Sequence, residues 1–293
     1  MSVLEGPRRE LRRIHHEGRP QWVEPDGDEL VLGDGRRIVE ADARYLPPFD
    51  PTKIICVHLN YESRRVEFDA PELVTPTYFM KPTTALAGHR GRTNRPQGCR
   101  YLNYEGELGV VVAEPMRDVA PSEVWSRLAG FIPANDIGVH DFRDTDAGSM
   151  LRVKGQDGFC PVGPGLVRGV DVRGSTLRTY RNGAIVQEAS LEEMNFGIDY
   201  LVADLARYIT LLPGDLILTG TPANSRPMEP GDVVEVEVTG VGRLTTTIGE
   251  APAPSHDVGF PPTDSKSAKF VAWGSDYRRI REEEKRREAE GGG

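Results

Sequence analysis

The sequence is poor in cysteine and contains no long hydrophobic segment. Its three cysteines, Cys56, Cys99 and Cys160, are scattered and form no CxxC pair, which indicates a reduced, cytoplasmic protein rather than one held together by disulfides. No run of about 18 apolar residues is present, so no membrane-spanning helix is expected. The first 20 residues are rich in Arg, His and Glu and lack an apolar core, which disfavours a secretory signal.

Basic residues are fewer than acidic ones. The 36 Lys and Arg residues stand against 45 Asp and Glu residues, giving a net charge of −9, which disfavours nucleic acid or an anionic membrane as the main partner. The hydrophobic fraction of 38% together with 32 glycines is typical of a folded globular protein. The length of 293 residues predicts one large domain or two modest ones.

The hydrophobic patterns are mostly those of strands. Asn182-Gly183 separates two alternating runs and predicts a β-hairpin. Valines and glutamates alternate from Val233 to Val238, as in a half-exposed strand. Apolar residues at spacings of three and four predict a helix over Phe196 to Ile209. We therefore predict an α+β fold that is mostly β.

Composition divides the chain into three regions. Residues 1–50 contain short strand patterns separated by turns and predict a small N-terminal β subdomain. Residues 51–250 form the central domain. Residues 251–293 begin with a proline-rich stretch and end in a highly charged segment, which predicts an extended linker and a charged tail. This tail is interpreted as a solvated or frayed helix, with an arm that clasps a second protomer as the alternative.

Three carboxylates carry the strongest chemical signal. Glu105 and Glu107 lead into the strand pattern Leu108 to Val112, and residues two apart on a strand share a face. Asp136 lies in a largely apolar segment, where an unpaired carboxylate would cost several kcal/mol. Three carboxylates without Cys or His partners suit a hard divalent ion such as Mg²⁺ or Mn²⁺.

Two further segments carry candidate site residues. Lys154 precedes a loop rich in glycine and proline, and near a metal its charge would stabilise a developing enolate oxygen. In the turn after Leu218, Gly220 lets backbone N–H groups approach a ligand, and Thr221 offers a hydroxyl and an amide to a substrate carboxylate. Taken singly, each segment is equally compatible with ordinary loop chemistry.

Taken together and in this order, the segments resemble the fumarylacetoacetate hydrolase superfamily, in particular its branch of 2-hydroxyhepta-2,4-diene-1,7-dioate isomerases and 5-oxopent-3-ene-1,2,5-tricarboxylate decarboxylases. The resemblance covers Lys53 to Thr247. The matching strings are Leu59-Asn60-Tyr61, Tyr78 to Pro82, Tyr104 to Leu108, Asn135-Asp136, Lys154 to Pro164, Leu212 to Asp215, Thr219 to Pro222 and Pro230-Gly231-Asp232.

The resemblance implies a mixed β-roll catalytic domain and a homodimer with one Mg²⁺ or Mn²⁺ in each subunit. The substrates it implies are small 2-oxo acids. On this likeness the metal ligands are Glu105, Glu107 and Asp136. Lys154 would lie beside the ion, and Thr221 would contact the substrate carboxylate.

Two departures from the family pattern affect the expected chemistry. Relatives often carry Asn-Tyr-x-x-His-x-x-Glu, but here Arg64 takes the place of the histidine while Glu67 remains, and arginine cannot act as a base. Four residues after Asp136, where many relatives have arginine, this chain has His140, followed by Arg143. We expect Glu67 to act in catalysis and Arg64 and Arg143 to bind substrate. His140 is expected to be a general acid or base, a substrate contact or a structural histidine.

An enolate intermediate serves both decarboxylation and a 1,3-proton shift, and neither reaction needs an activated water. We therefore expect an isomerase/decarboxylase acting on a 2-oxo or 2-hydroxy-dienoate dicarboxylate in aromatic catabolism. A C–C bond or acylpyruvate hydrolase using His140 or a metal-bound water is the alternative, and a family member that binds ligand without catalysis is the third. Cations expected at the far carboxylate are Arg64, Lys81, Arg92 and Arg95, and the loops 90–97 and 142–150 are expected to determine the chain length accepted.

Overall fold

The computed structural model describes residues 2–146 and 148–290 and consists mainly of strands. In chain order the strands are β1 (Arg9–His16), β2 (Arg19–Asp26), β3 (Glu29–Leu32), β4 (Arg37–Val39), β5 (Arg44–Leu46), β6 (Ile54–His58), β7 (Thr77–Lys81), β8 (Leu86–Ala87), β9 (Gly91–Arg95), β10 (Leu102–Asn103), β11 (Gly106–Val112), β12 (Leu128–Asn135), β13 (Gly138–Val139), β14 (Cys160–Pro161), β15 (Gly165–Arg168), β16 (Thr176–Arg181), β17 (Ala184–Ser190), β18 (Leu216–Leu218), β19 (Val233–Val238) and β20 (Gly242–Glu250). The prediction of an α+β fold that is mostly β is confirmed.

The largest sheet has eleven strands in the order β4-β3-β2-β1-β15-β12-β11-β18-β6-β7, with β5 paired to β1. Most neighbours are antiparallel, but β6 runs parallel to β18. The continuous apolar run of β6 fits this position, because a strand covered on both faces needs apolar side chains on both. Strand β11 is buried along its whole length and lies between β12 and β18 in this sheet.

The N-terminal strands continue this sheet. Strand β1 pairs with β2 on one side and with β15 on the other, with Leu11 opposite Leu166. The N-terminal strands also enclose a small core of their own, which includes Ile14, Leu30 and Tyr45. The large sheet includes strands from both sides of residue 50. The subdomain boundary at this residue therefore stays a prediction from the sequence.

A second sheet has five strands in the order β17-β16-β19-β20-β9. Strands β16 and β17 form the predicted hairpin, with Asn182 and Gly183 both at positive φ as a tight turn requires. The sheets approach each other closely at Gly106 of β11, where a Cβ atom would overlap Thr179 of β16. The start of β11 is thereby fixed between the two sheets.

The helices are short and lie around the sheets. They are α1 (Glu62–Glu67), α2 (Pro121–Val124), α3 (Arg143–Asp146), α4 (Leu151–Lys154), α5 (Ile198–Tyr208), α6 (Lys266–Trp273) and α7 (Tyr277–Glu290). Helix α5 matches the predicted helix within two residues at each end. The charged tail forms α7, but α6 was not expected from the sequence. Among the described helices, none is long and apolar enough to cross a membrane.

Candidate active site

A cavity of about 300 Å³ opens at the N-terminal end of β11. Its inner part is lined by charged residues, and its outer part includes several apolar side chains. The lining residues are Val57, His58, Leu59, Arg64, Phe68, Phe79, Glu105, Glu107, Asp136, His140, Arg143, Met150, Lys154, Thr221, Ser267, Phe270 and Val271. Eight of the ten residues that the sequence predicted as site residues therefore surround one cavity.

The three carboxylates meet because β11 and β12 are paired in a fixed register. Gly106 lies opposite Asn135, so the residues just beyond these two, Glu105 and Asp136, are neighbours. The backbone N–H of Asp136 donates to the carbonyl of Glu105 at 2.8 Å, and the Asn135 side chain accepts from the N–H of Glu105 at 2.9 Å. One oxygen from each of Glu105, Glu107 and Asp136 lies within 4.8 Å of the others.

This cluster has the donor chemistry of a divalent-metal site. All three ligand atoms are carboxylate oxygens, the type that Mg²⁺ and Mn²⁺ prefer, and Glu107 and Asp136 are each only 1% exposed. Lys81 pairs with Asp136, and Lys154 pairs with Glu105 and Asp136. When the three carboxylates and these two lysines are all ionised, the five side chains together carry one net negative charge. A divalent ion would convert this to one positive charge, which suits an anionic substrate.

Two buried lysines contact the carboxylates directly. Lys154 donates to Glu105 at 2.5 Å and to Asp136 at 3.0 Å. Lys81 donates to the other oxygen of Asp136 and, at 2.7 Å, to the carbonyl of Phe159. The expectation that Lys81 binds a far substrate carboxylate is wrong, because its ammonium group is enclosed beside Asp136 and does not line the cavity.

Burial and neighbouring charge set the protonation of the cluster. Desolvation, followed by the charges of Asp136 and Glu105, raises the pKa of Glu107 well above its ordinary value. Desolvation would also raise the pKa of Asp136, but Lys154 and Lys81 outweigh it and lower that pKa. Burial opposes the charge of Lys154, but Asp136 and Glu105 raise its pKa above the ordinary value. Lys154 is therefore a fixed cation.

Arg64 faces the cavity, whereas Glu67 lies behind it. Both residues are on α1, and Arg64 donates to Glu67 at 2.6 Å while its other terminal nitrogen lies 3.5 Å from Glu105. The second carboxylate oxygen of Glu67 accepts from Arg226 at 2.7 Å. Burial alone would raise the pKa of Glu67, but Arg64 and then Arg226 lower it. Glu67 was predicted as a catalytic residue, but the structure makes it a fixed anion that orients Arg64, outside the cavity lining.

His140 is fully enclosed, and neither ring nitrogen has a hydrogen-bond partner among the described residues. Desolvation, with the charges of Lys154, Arg143 and Arg64, lowers its pKa well below the ordinary value, so the imidazole is neutral. His58 also lines the cavity, and burial and Lys154 lower its pKa. A neutral imidazole with two unused nitrogens can both donate to and accept from a bound ligand.

Gly220 and Thr221 have different roles. The N–H of Gly220 donates to Glu107 at 2.7 Å, so the predicted contact of Gly220 with substrate is replaced by a contact with a candidate metal ligand. Thr221 lines the cavity, and its hydroxyl accepts from Gln187 at 3.1 Å, which leaves the hydroxyl hydrogen available to a ligand.

The far side of the cavity differs from the sequence-based expectation. Residues 90–97, all of them described, do not reach the cavity, and Arg95 instead pairs with Glu229 at 2.6 Å. The predicted cations Arg92 and Arg95 are therefore not substrate contacts. From the loop 142–150, Arg143 and Met150 line the cavity, and Arg143 has no ion-pair partner in the described part of the chain.

Residues of α6 complete the wall. Ser267, Phe270 and Val271 line the cavity although they belong to the region predicted as a linker and tail. The sequence signal for them is weak: apolar residues at helical spacing follow the prolines, but nothing local indicates where that face packs.

Comparison with known proteins places this site in a family. The family model for the C-terminal domain of fumarylacetoacetate (FAA) hydrolase matches residues 53–249. The chain belongs to this family. The match covers the carboxylates, both lysines and α1, and it ends before α6.

Individual relatives support the same assignment. An uncharacterized protein of Archaeoglobus fulgidus is 38% identical over 224 residues, which span 76% of this chain and 89% of that protein. The 4-hydroxyphenylacetate degradation bifunctional isomerase/decarboxylase of Escherichia coli is 33% identical over 80% of this chain, which spans only 54% of that protein. The crystal structure of 2-hydroxyhepta-2,4-diene-1,7-dioate isomerase from Mycobacterium marinum superimposes with a TM-score of 0.74 and 33% identity, covering 83% of this chain and 98% of that one. The predicted β-roll of this family is thereby confirmed.

Proposed function

We propose that this protein is a divalent-metal-dependent isomerase/decarboxylase that acts on a 2-oxo or 2-hydroxy-dienoate dicarboxylate through an enolate. The observation that supports this most strongly is the combination of three clustered carboxylates with Lys154 held directly on them. A bound divalent ion would supply chelation of the 2-oxo acid and withdraw electrons from it. The names of the relatives in E. coli and M. marinum agree with this chemistry.

The residues of this chain supply the remaining functions. The ammonium of Lys154 stabilises negative charge on the enolate oxygen, and Arg64 and Arg143 bind the far carboxylate. In decarboxylation the bond to the departing carboxylate breaks, CO₂ leaves and the electron pair stays in the enolate, which then takes up a proton. In isomerisation a proton leaves one carbon and is added two carbons away. In this proposal His140, which lines the cavity, contacts the reacting chain and carries this proton.

A hydrolase remains the second candidate because His140 is a neutral imidazole with no protein partner in the described structure. Such a group can accept a proton from water. The position usually held by histidine carries Arg64, which cannot. Without that dyad, water activation would need His140 or a metal-bound water, and this favours the isomerase/decarboxylase.

Turnover assays with Mg²⁺ or Mn²⁺ test the proposal. We expect 2-hydroxyhepta-2,4-diene-1,7-dioate to show a metal-dependent absorbance change, or 5-oxopent-3-ene-1,2,5-tricarboxylate to release CO₂. Release of a second carboxylic acid from an acylpyruvate would favour the hydrolase. Metal-dependent binding of all three compounds without turnover would favour a non-catalytic protein. The homodimer expected from the resemblance is proposed as well, and sedimentation of the purified chain checks it.

A further inference from the structure

The residues that follow the family match form a strap across the cavity. We define the C-terminal strap as residues 263–276, which comprise α6 and the turns on either side of it. The family model ends at residue 249, so this part of the cavity wall is an addition to the matched domain. What the strap does is therefore not inherited from the match.

One end of the strap is attached beside His140. The N–H and the hydroxyl of Thr263 both donate to the carbonyl of Asp141, at 3.0 and 2.9 Å. Tyr101 donates to Asp264 at 2.5 Å, and the carbonyl of Tyr101 accepts from the N–H of His140 at 2.9 Å. The strap is thus anchored to the segment that carries His140 and Arg143.

The other end of the strap is attached to α1. Asp276 accepts from Arg226 at 2.8 Å, and Arg226 also holds Glu67, the partner of Arg64. Gly274 lies against the Glu67 carboxylate with φ of 50°, and a Cβ atom there would overlap that carboxylate. Two elements that face the substrate are therefore joined through the strap.

Between these anchors, Phe270 contributes an aromatic ring to the cavity. Its ring centroid lies 5.7 Å from that of Phe68, and the Arg64 guanidinium lies 4.3 Å from the Phe68 ring. Starting from Glu105, the contacts run through Arg64 and Phe68 to Phe270, which places Phe270 at the outer end. Phe270 is 41% exposed, so ligand binding can remove further apolar surface from water there.

We propose that Phe270 is a specificity-determining residue that packs against the hydrocarbon chain of the substrate beyond its 2-oxo acid end. With Phe68 and Val271, it selects 2-oxo acids that have a carbon chain long enough to reach the strap. A cavity of about 300 Å³ is at the small end of ligand sites, so one aromatic wall has a large effect on which chains fit. This inference rests on the proposed function, because it assumes that a 2-oxo acid occupies the inner end.

Two non-reacting ligands separate the inner end from the outer end. Oxalate fills the chelating end alone, whereas 2-oxoheptanedioate carries four methylene groups and a second carboxylate beyond its 2-oxo acid end. Binding of both ligands to the 293-residue chain in the presence of Mg²⁺ is measured by calorimetry for the wild type, Phe270→Ala and Phe270→Leu. Tyr277→Ala is the matched control, because its ring also contacts Phe270, at 5.9 Å, but does not line the cavity. Thermal melting establishes that each variant is folded.

We expect Phe270→Ala to weaken the binding of 2-oxoheptanedioate about tenfold and Phe270→Leu to weaken it less. The affinity for oxalate should stay within about twofold of the wild-type value. Tyr277→Ala should change the affinity for neither ligand. Unchanged 2-oxoheptanedioate affinity in folded Phe270→Ala, or an equal loss for both ligands, would overturn the role of Phe270 while leaving the proposed function intact. A wild-type protein that binds neither ligand in Mg²⁺ would overturn both.

Discussion

At the inner end of the cavity the carboxylates stand at the ends of paired strands and are almost completely buried, whereas at the outer end the side chains come from short helices and are partly exposed. Glu107 and Asp136 are each 1% exposed, but Phe270 is 41% exposed. The inner groups hold one another in place through ion pairs, and the outer ones are held by a strap attached at two points. We therefore expect the inner end to determine the reaction and the outer end to determine the substrate.

The sharpest test of the inner end is loss of one carboxylate. Glu107→Gln replaces a carboxylate that can ionise and bind a metal by an amide of the same shape that cannot, so we expect binding of Mg²⁺ or Mn²⁺ to become undetectable by calorimetry and turnover to disappear. Glu114→Gln, at an exposed position shortly after β11, is the matched control and should bind metal normally. Unchanged metal affinity in Glu107→Gln would refute the ligand assignment.

Lys154 tests whether chemistry and stability are separable at the inner end. Lys154→Ala should lower kcat by about 10²-fold or more, equivalent to about 2.7 kcal/mol of transition-state stabilisation. A lysine in an open loop could be removed at constant stability, but Lys154 is 3% exposed and pairs with two carboxylates. We therefore also expect a lower melting temperature without metal, since two buried carboxylates lose a partner.

Excess Mg²⁺ distinguishes these two effects. An ion on the same carboxylates should recover much of the melting temperature of Lys154→Ala, whereas the loss in kcat should persist. If activity returned together with stability, Lys154 would be a structural residue and not part of the chemistry.

The sequence predicted the inner end far better than the outer end, for a physical reason. Glu105, Glu107 and Asp136 lie on or beside strands whose alternation and burial are visible locally, so their convergence follows from strand pairing. Phe270 reaches the cavity through contact with Phe68, some 200 residues earlier in the chain. No local pattern contains that partner, and the surrounding prolines and charges indicate only a linker and a tail.

The same reasoning explains two misassigned residues. Lys81, a cation within a matching string, was expected to meet a substrate carboxylate, but in the folded chain its ammonium group pairs with Asp136. Glu67 was expected to act in catalysis, as the glutamate that remains of the family's histidine–glutamate pair. Its second partner, Arg226, lies in a distant loop and can be seen only in the folded chain.

Arg64 lies where the two ends of the cavity meet. Arg64→Ala removes the guanidinium and should chiefly raise KM for a 2-oxo dicarboxylate, by about tenfold. A charged hydrogen bond to the substrate carboxylate is lost, while the metal ligands are unchanged. Arg65→Ala is the matched control: Arg65 is also on α1 but pairs with Glu62 outside the cavity. Steady-state kinetics of both variants measure the effect.

Arg64→His restores the residue usual in the family and tests the same position in another way. An imidazole next to Glu67 can accept a proton, so we expect weaker substrate binding together with a new hydrolytic product, detected by chromatography. Unaltered KM in both Arg64→Ala and Arg64→His would show that Arg64 does not contact the substrate. That result would favour the hydrolase that uses His140.

The last test concerns His140 and separates transfer of a proton by its imidazole from simple contact with the substrate chain. If its ring only hydrogen-bonds the substrate chain, His140→Gln keeps a donor and an acceptor and should lower kcat/KM by less than about tenfold, the range of one neutral hydrogen bond. If the imidazole instead carries the proton, in the isomerisation or from water, the same change should lower kcat by about 10² to 10⁴, because an amide cannot act as a base. His140→Phe removes both hydrogen-bonding atoms and should cost more than His140→Gln only in the first case. Comparing kcat/KM of the two variants therefore shows whether His140 belongs with the groups that carry out the reaction or with those that select the substrate.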